Sequence, residues 1–511
     1  MAERKIWNGE QNRGLLSRMG LMFGLGLLGC LVLLAGVLAW AQTAKDPGLR
    51  PGPAGAGNFQ NSLTAAEKNF EAPGQGQFTQ PFSVKGTSTC GSNQTCQSMF
   101  GLGPRFNSNS CASCHAQPAY GGSSPAVTTT NPNPNPLFGI YQLDGGTNTM
   151  PFFEVTTGPV LVPRFPYQTS DLSLPDGLVH QLFTITGRSD GFQNCSLAQP
   201  NFTQASSEGN LVFRQPLPTF GDGYIEIIEN TDILNNLNSN LASKQALGIG
   251  GAANIADDGS VSRLGWKAQW RAILPAAGAE ENVEMGVTNE MFPTETDQTN
   301  TSCLGNAVPE DFTNYAYSSI SISGVQGSTY YPWNFPEGAD RDAIFIRFLE
   351  QPTPGTCIAD PPESSATTCS NGLAAFKSVG CALCHTISYA TPAGSIPSMG
   401  HVKASLYSDL LLHHMGNCLA DKIVQGVAQG DMWRTPPLWN VGQRYWFMHD
   451  GRTSNIVTAI EDHADNSASF TDPVCTGNGS YQASEADTVI QNFNTLSKEN
   501  QQDLINFLRS L

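Results

Sequence analysis

Charge is what this chain has least of. Asp, Glu, Lys and Arg make up 14% of its 511 residues, where about a quarter is usual for a soluble protein. Basic side chains are the scarcer sign: 26 Lys and Arg stand against 43 Asp and Glu, a formal net charge of −17. That deficit argues against nucleic acid as a partner. It suits a small cationic redox carrier, such as a cytochrome c or cupredoxin, or a small-molecule reductant; plain solubility accounts for it equally well. Gly (52) and Pro (33) are plentiful and point to loop-rich connections rather than a compact bundle.

Cysteine is not scarce, with 13 residues. Four stand in two five-residue words, Cys111-Ala112-Ser113-Cys114-His115 and Cys381-Ala382-Leu383-Cys384-His385. Two thiols and an imidazole at this spacing attach a c-type haem. The cysteines bond the porphyrin edge as thioethers, and His115 and His385 become proximal iron ligands. One copy could be chance or half of a zinc site. Two copies, each after a small turn-forming residue (Ser110, Gly380), leave little room for that, so two covalently bound haem c groups are expected.

Cys30 lies in an apolar run, and the other eight cysteines form an even remainder. In an exported protein that predicts up to four disulfides. Cys90 with Cys96 and Cys357 with Cys369 are near enough to pair locally; Cys195 with Cys303 and Cys418 with Cys475 are guesses.

Arg4, Lys5, Arg13 and Arg18 precede the uncharged run 19–41. This reads as a signal peptide ending near Ala39-Trp40-Ala41, or as a membrane anchor, since it is long enough to span a bilayer. Either way the chain is expected in the periplasm, where haem is attached to such words. Residues 42–80 read as a flexible tether with a short helix near 62–70. The period approaches two over 150–230, with strands expected at 178–186 and 211–214 and a short edge strand at 160–162. Helices are expected at 225–238, 279–285, 342–350, 372–379, 406–415, 419–422, 455–463 and 498–511. The boundaries are therefore an N-terminal haem domain over 81–356, with a strand-rich insertion, and a C-terminal cytochrome c domain over 357–511.

A strong ligand opposite the proximal histidine makes an electron-transfer centre, and an open face admits peroxide. His180 sits in an expected strand, where a hydrogen-bonded histidine is the plainer reading. His449 precedes the turn Asp450-Gly451-Arg452, and His463 ends a helix beside Asp462 and Asp465. The residues alone do not choose between these two. Met415 and His413 are reserve ligands.

Further words lie in a specific order: Gly101-Leu102-Gly103-Pro104-Arg105-Phe106-Asn107, Gly265-Trp266-Lys267-Ala268, Glu284-Met285-Gly286-Val287-Thr288, Tyr407-Ser408-Asp409-Leu410-Leu411-Leu412-His413, Arg434-Thr435-Pro436-Pro437-Leu438-Trp439 and His449-Asp450-Gly451-Arg452. This order resembles the dihaem cytochrome c peroxidase superfamily, and most of all its dihaem oxidoreductase branch, sometimes labelled thiol oxidoreductase. The resemblance implies a mainly α fold with two cytochrome-c-like domains facing each other. It places the sixth ligand of the C-terminal haem at His463, which makes that haem bis-histidine, and it makes His449 a pocket residue rather than a ligand. It implies that peroxide reacts at the N-terminal haem on His115 while the other relays electrons.

The chain departs from the pattern in having no histidine between His115 and His180, where relatives carry a switchable distal one. Arg444 and Trp446 crowd the segment that holds calcium in relatives, which puts calcium in doubt. Glu284 is the candidate acid–base group at the open haem, with an ordinary helix carboxylate as the alternative. Trp266 is the candidate electron relay between haems, with a core aromatic as the plainer reading. The expected function is a peroxidase-type dihaem oxidoreductase. A non-catalytic electron-transfer cytochrome and a small-molecule (thiol) oxidase are the alternatives.

Overall fold

Apolar spacing along the last helix shows how the C-terminal part is built. The computed structural model describes the chain outside residues 1–43, 85–98, 169–171, 174, 176–181, 188–193, 295–299, 304–309, 311–337, 358–364, 395 and 466–480. In Lys498–Ser510, Ser497 caps the first turn by accepting from the Asn500 N–H, and Leu504, Ile505, Phe507 and Leu508 are buried. This helix packs against Ser365–Val379. The two backbones meet at Gly372, where a Cβ would lie 2.1 Å from the Asp503 carbonyl oxygen. Ser365–Val379 ends at Gly380, whose φ of 111° suits glycine and turns the chain straight into Cys381. Ile456–Glu461 and Asp487–Thr495 complete an apolar cluster around Cys381, Ala382, Leu383 and Cys384.

A second cluster gathers Phe82, Leu102, Phe106, Ile185, Met285 and Val287 against Cys111 and Cys114. A third, built on Tyr224, Ile225, Leu264, Leu410, Leu411 and Trp439, draws on both halves of the chain. Helices dominate the regular structure. The strands among the described residues form six two-stranded sheets. The expected strands at 178–186 and 211–214 appear in shortened form and the one at 160–162 is displaced by two residues: Val162–Arg164 pairs with Val212–Arg214, and Ile185–Thr186 with Arg105–Phe106, both antiparallel. Residues 176–181, with His180, lie outside the described residues.

Several expectations need correction. The stretch 406–415 is not helical. Tyr407 and Leu410 take positive φ of 51° and 62°, and Leu412–His414 is a strand paired with Met432–Arg434. Leu406, Leu410, Leu411 and Leu412 are buried, and an apolar run with no exposed side carries no period to read. Residues 419–422 are likewise not a helix; a single turn, Asn417–Leu419, precedes them. The helix over 225–238 is two, Asp222–Ile227 and Asn230–Asn238, separated by extended backbone at Ile228 and Glu229.

The supposed flexible tether is docked from residue 44. Asp46 binds Arg509 through two hydrogen bonds (2.8 and 2.6 Å) and accepts from the Ile456 N–H (2.8 Å). Gln443 reaches the Arg50, Gly52 and Pro53 carbonyls. The expected short helix is present as Ala65–Lys68, capped by Thr64 and Glu67. Disulfides join Cys195 to Cys303 and Cys357 to Cys369. Cys90, Cys96 and Cys475 lie outside the described residues, as does the apolar run 19–41. Among the described residues no helix is long and apolar enough to cross a membrane.

Candidate functional site

Each five-residue word opens onto its own cavity. The C-terminal one encloses about 1370 Å³, part of it open to solvent, and Cys381, Cys384, His385, His463, Trp266 and His449 stand on its walls. His385 Nδ1 donates to the Tyr407 carbonyl (2.9 Å), and His463 Nδ1 donates to the Ala459 carbonyl (2.7 Å). A carbonyl only accepts, so each Nδ1 carries the proton and each Nε2 keeps its lone pair. Burial lowers both pKa values, His385 to about 4, so both rings are neutral at pH 7. Their centroids are 6.5 Å apart. That spacing suits one metal ion bonded by both rings at about 2 Å. His463 lies on the turn that ends Ile456–Glu461.

His413, one of the reserve ligands, is engaged elsewhere. Its Nε2 faces Asp409 (3.0 Å) and its Nδ1 faces Glu485 (2.6 Å). Burial alone would lower its pKa, but the adjacent Cys384 and then Asp409 hold it well above the usual value. Cys384, Asp409 and His413 are close enough together to hold a metal ion. With both ring nitrogens already on carboxylates, that cluster reads as a buried ion pair.

The N-terminal cavity encloses about 1310 Å³ and contains Cys111, Cys114 and His115. His115 Nδ1 donates to the Gly122 carbonyl (3.0 Å), and burial lowers its pKa. Among the described residues no second histidine lines this cavity. One wall is the helix Ile273–Met285, which turns Ile273, Ala277, Glu280 and Glu284 inward at helical spacing. Glu284 accepts from Asn107 Nδ2 (2.8 Å). Burial, then repulsion from Glu280, pushes its pKa up to about 7. Glu280 lines the same cavity; its side chain is exposed, and the protein packed around it nevertheless raises its pKa.

Trp266 lines both cavities. Its Nε1 donates to the Gln215 carbonyl (2.9 Å), and its ring meets Trp433 and His449 edge-on at 6.2 and 6.4 Å. His449 stacks on Trp433 at 4.0 Å and, buried, has its pKa lowered to about 4. It therefore lines the second cavity and not the first. Lys267 Nζ lies 4.1 Å over the other ring system of this group, that of Trp433, and pairs with Asp421 (3.0 Å).

The residues fit two haems. The four thiols sit unbridged on the cavity walls although each pair is close in sequence. Burial raises the pKa values of Cys114 and Cys381 to about 12, and these are the sulfurs that thioethers to a haem would use. Arg434 lines both cavities and Arg444 the second, and each keeps a buried guanidinium nitrogen without a partner. Haem propionates would satisfy such cations. Sequence reasoning missed Glu280, Arg164 and Trp433. The i, i+4 spacing of Glu280 and Glu284 was the available signal for the first; a position at the end of one short strand and the middle of another gives none for the other two.

No curated protein matches the chain. Among solved structures, a hydrazine synthase chain from Kuenenia stuttgartiensis, pressurised with xenon, matches at 18% identity with a TM-score of 0.20. That match covers 34% of this chain and 57% of the other, and so spans little more than half the neighbour's length. The family described as "Di-haem oxidoreductase, putative peroxidase" matches residues 164–511. That span holds the second haem word, Glu284 and Trp266, while the first word precedes it. The chain belongs to the di-haem oxidoreductase family, which implies two haem cofactors.

Proposed function

We propose that the chain is an exported c-type dihaem oxidoreductase that reduces hydrogen peroxide. The observation that carries the reading is the asymmetry of two cavities sharing one tryptophan. Among the described residues, the second holds two neutral histidines with ring centroids 6.5 Å apart, and the first holds one histidine and a carboxyl group whose pKa is pushed up to about 7. Haems held by Cys111, Cys114 and His115, and by Cys381, Cys384, His385 and His463, would supply the redox chemistry. Overall, one peroxide, two electrons and two protons give two waters, the electrons coming from a small redox carrier or small-molecule reductant.

The protein's own residues do the rest. Glu284 takes the proton from one peroxide oxygen and returns it to the other, a task for which a pKa near the working pH is suited. Asn107 orients the carboxyl group. Trp266 offers a short path between cavities, and its indole N–H is fixed by Gln215. The net charge of −17 favours a cationic donor.

The test is peroxide consumption by the reduced, haem-loaded protein. Stoichiometric consumption is expected, with turnover falling about 100-fold in Glu284→Gln and the visible spectrum of the second site unchanged. A protein that ignores peroxide, with both irons low-spin, would instead be an electron-transfer cytochrome.

A further inference from the structure

One wall of the first cavity carries a group that proton transfer at Glu284 does not use. Arg164 ends the strand Val162–Arg164 and lines the cavity with Glu280 and Glu284. Its side chain is buried at 7% exposure, and neither Nε nor Nη1 makes a hydrogen bond. A buried guanidinium with two nitrogens unpaired is costly, which marks those two as built for an acceptor. Glu280 and Glu284, one helical turn apart, present two carboxyl groups to the same space.

What would such a wall accept? A permanent anion, such as a propionate, would lie beside two carboxyl groups and be repelled once they ionise. A ligand that brings its own proton meets no such conflict. The carboxyl pair takes the proton and the guanidinium takes the negative end.

The geometry points to Arg164, Glu280 and Glu284 as a split receptor for small protic ligands, hydrogen peroxide among them. The O–H bond breaks, its proton passes to the Glu280–Glu284 pair, and the anionic oxygen accepts from Arg164 Nε and Nη1. No electron moves in this step. It rests on the reading of the first cavity as the peroxide site and adds the residue that receives the anion. Desolvation raises both glutamates above the usual carboxylate range, and the charge of Glu280 adds to it at Glu284, which keeps the pair able to share one proton.

Fluoride is the probe, because it binds as an anion accompanied by a proton; carbon monoxide, neutral and protonless, is the control. Both are titrated optically into the full-length dihaem protein, fluoride in the oxidised and carbon monoxide in the reduced state. In Arg164→Leu, fluoride affinity should fall about tenfold or more, the weight of a charge-assisted hydrogen bond. Carbon monoxide affinity should be unchanged, and Arg164→Lys should recover part of the loss. Proton uptake on fluoride binding should disappear in the Glu280→Gln/Glu284→Gln double variant. Unchanged fluoride affinity in Arg164→Leu overturns the proposal alone. So does a parallel loss of both ligands, which would mark Arg164 as a wall or propionate residue. A wild-type protein that takes up neither ligand refutes the vacant first iron itself, and the receptor with it.

Discussion

Replacing Asp421 by Asn should weaken the protein sharply, because this one carboxylate neutralises two buried cations. Asp421 is fully buried between Lys267 (3.0 Å) and Arg214 (2.6 Å), whose side chains are 0% and 4% exposed. Burial would raise its pKa, but Arg214 and Lys267 outweigh that and hold it at about 2. The depression is worth roughly 2–3 kcal/mol of native-state stability at neutral pH. The sign is that of a depressed acid: the contribution is present above the unfolded value and lost as pH falls through about 2. Breaking a buried pair by removing one partner generally costs about 3–5 kcal/mol. Asn keeps the shape but turns an amide N–H₂ or a weaker acceptor toward the cations, so about 3 kcal/mol is expected.

In urea, with a slope near 3 kcal/mol per molar, the midpoint should drop by roughly 1 M. Circular dichroism of the haem-loaded protein reads it. Adding Lys267→Met should restore part of the loss, since one unpaired cation goes with it; this coupling is the signature of the pair. A midpoint shift below about 0.2 M, or strict additivity of the two substitutions, would refute the reasoning.

Other consequences follow from single residues. Glu154 accepts from Asn135 (2.7 Å) and Leu161 N–H (3.2 Å), yet burial pushes its pKa up to about 8. Its folded form holds a proton that the unfolded chain gives up, so stability should decline as pH rises from about 4.5 to 8. Denaturation midpoints across that range should flatten in Glu154→Gln. Gly372→Ala would drive a methyl group against the Asp503 carbonyl and Phe507. The helix pair must separate, at a cost of about 2 kcal/mol or more, measurable as a lower melting temperature. Asp46→Ala should release the segment from residue 44 onward, read as faster amide exchange at Ile456.

The haem words were legible because their chemistry fixes their spacing, and both open onto cavities as expected. His463 was reachable only through the resemblance; a helix-end histidine carries no local mark of a metal site. Glu284 was legible as a word but not as half of a pair. Helix 498–511 could be read because one face meets solvent. The run at 406–415 could not, because its leucines are buried and lose their period. The order imposed on residues 44–63 comes from distant partners, Arg509 and Gln443, which no window of sequence contains. Arg164 is an ordinary strand arginine until Glu280 and Glu284 are brought beside it.

The central claim is that the two sites hold their irons differently, and electron paramagnetic resonance of the oxidised full-length protein tests it most directly. One high-spin and one low-spin signal are expected, and His463→Ala should convert the low-spin signal to high-spin while leaving the other in place. Two low-spin signals in the wild type, or a spectrum indifferent to the loss of His463, would contradict the account.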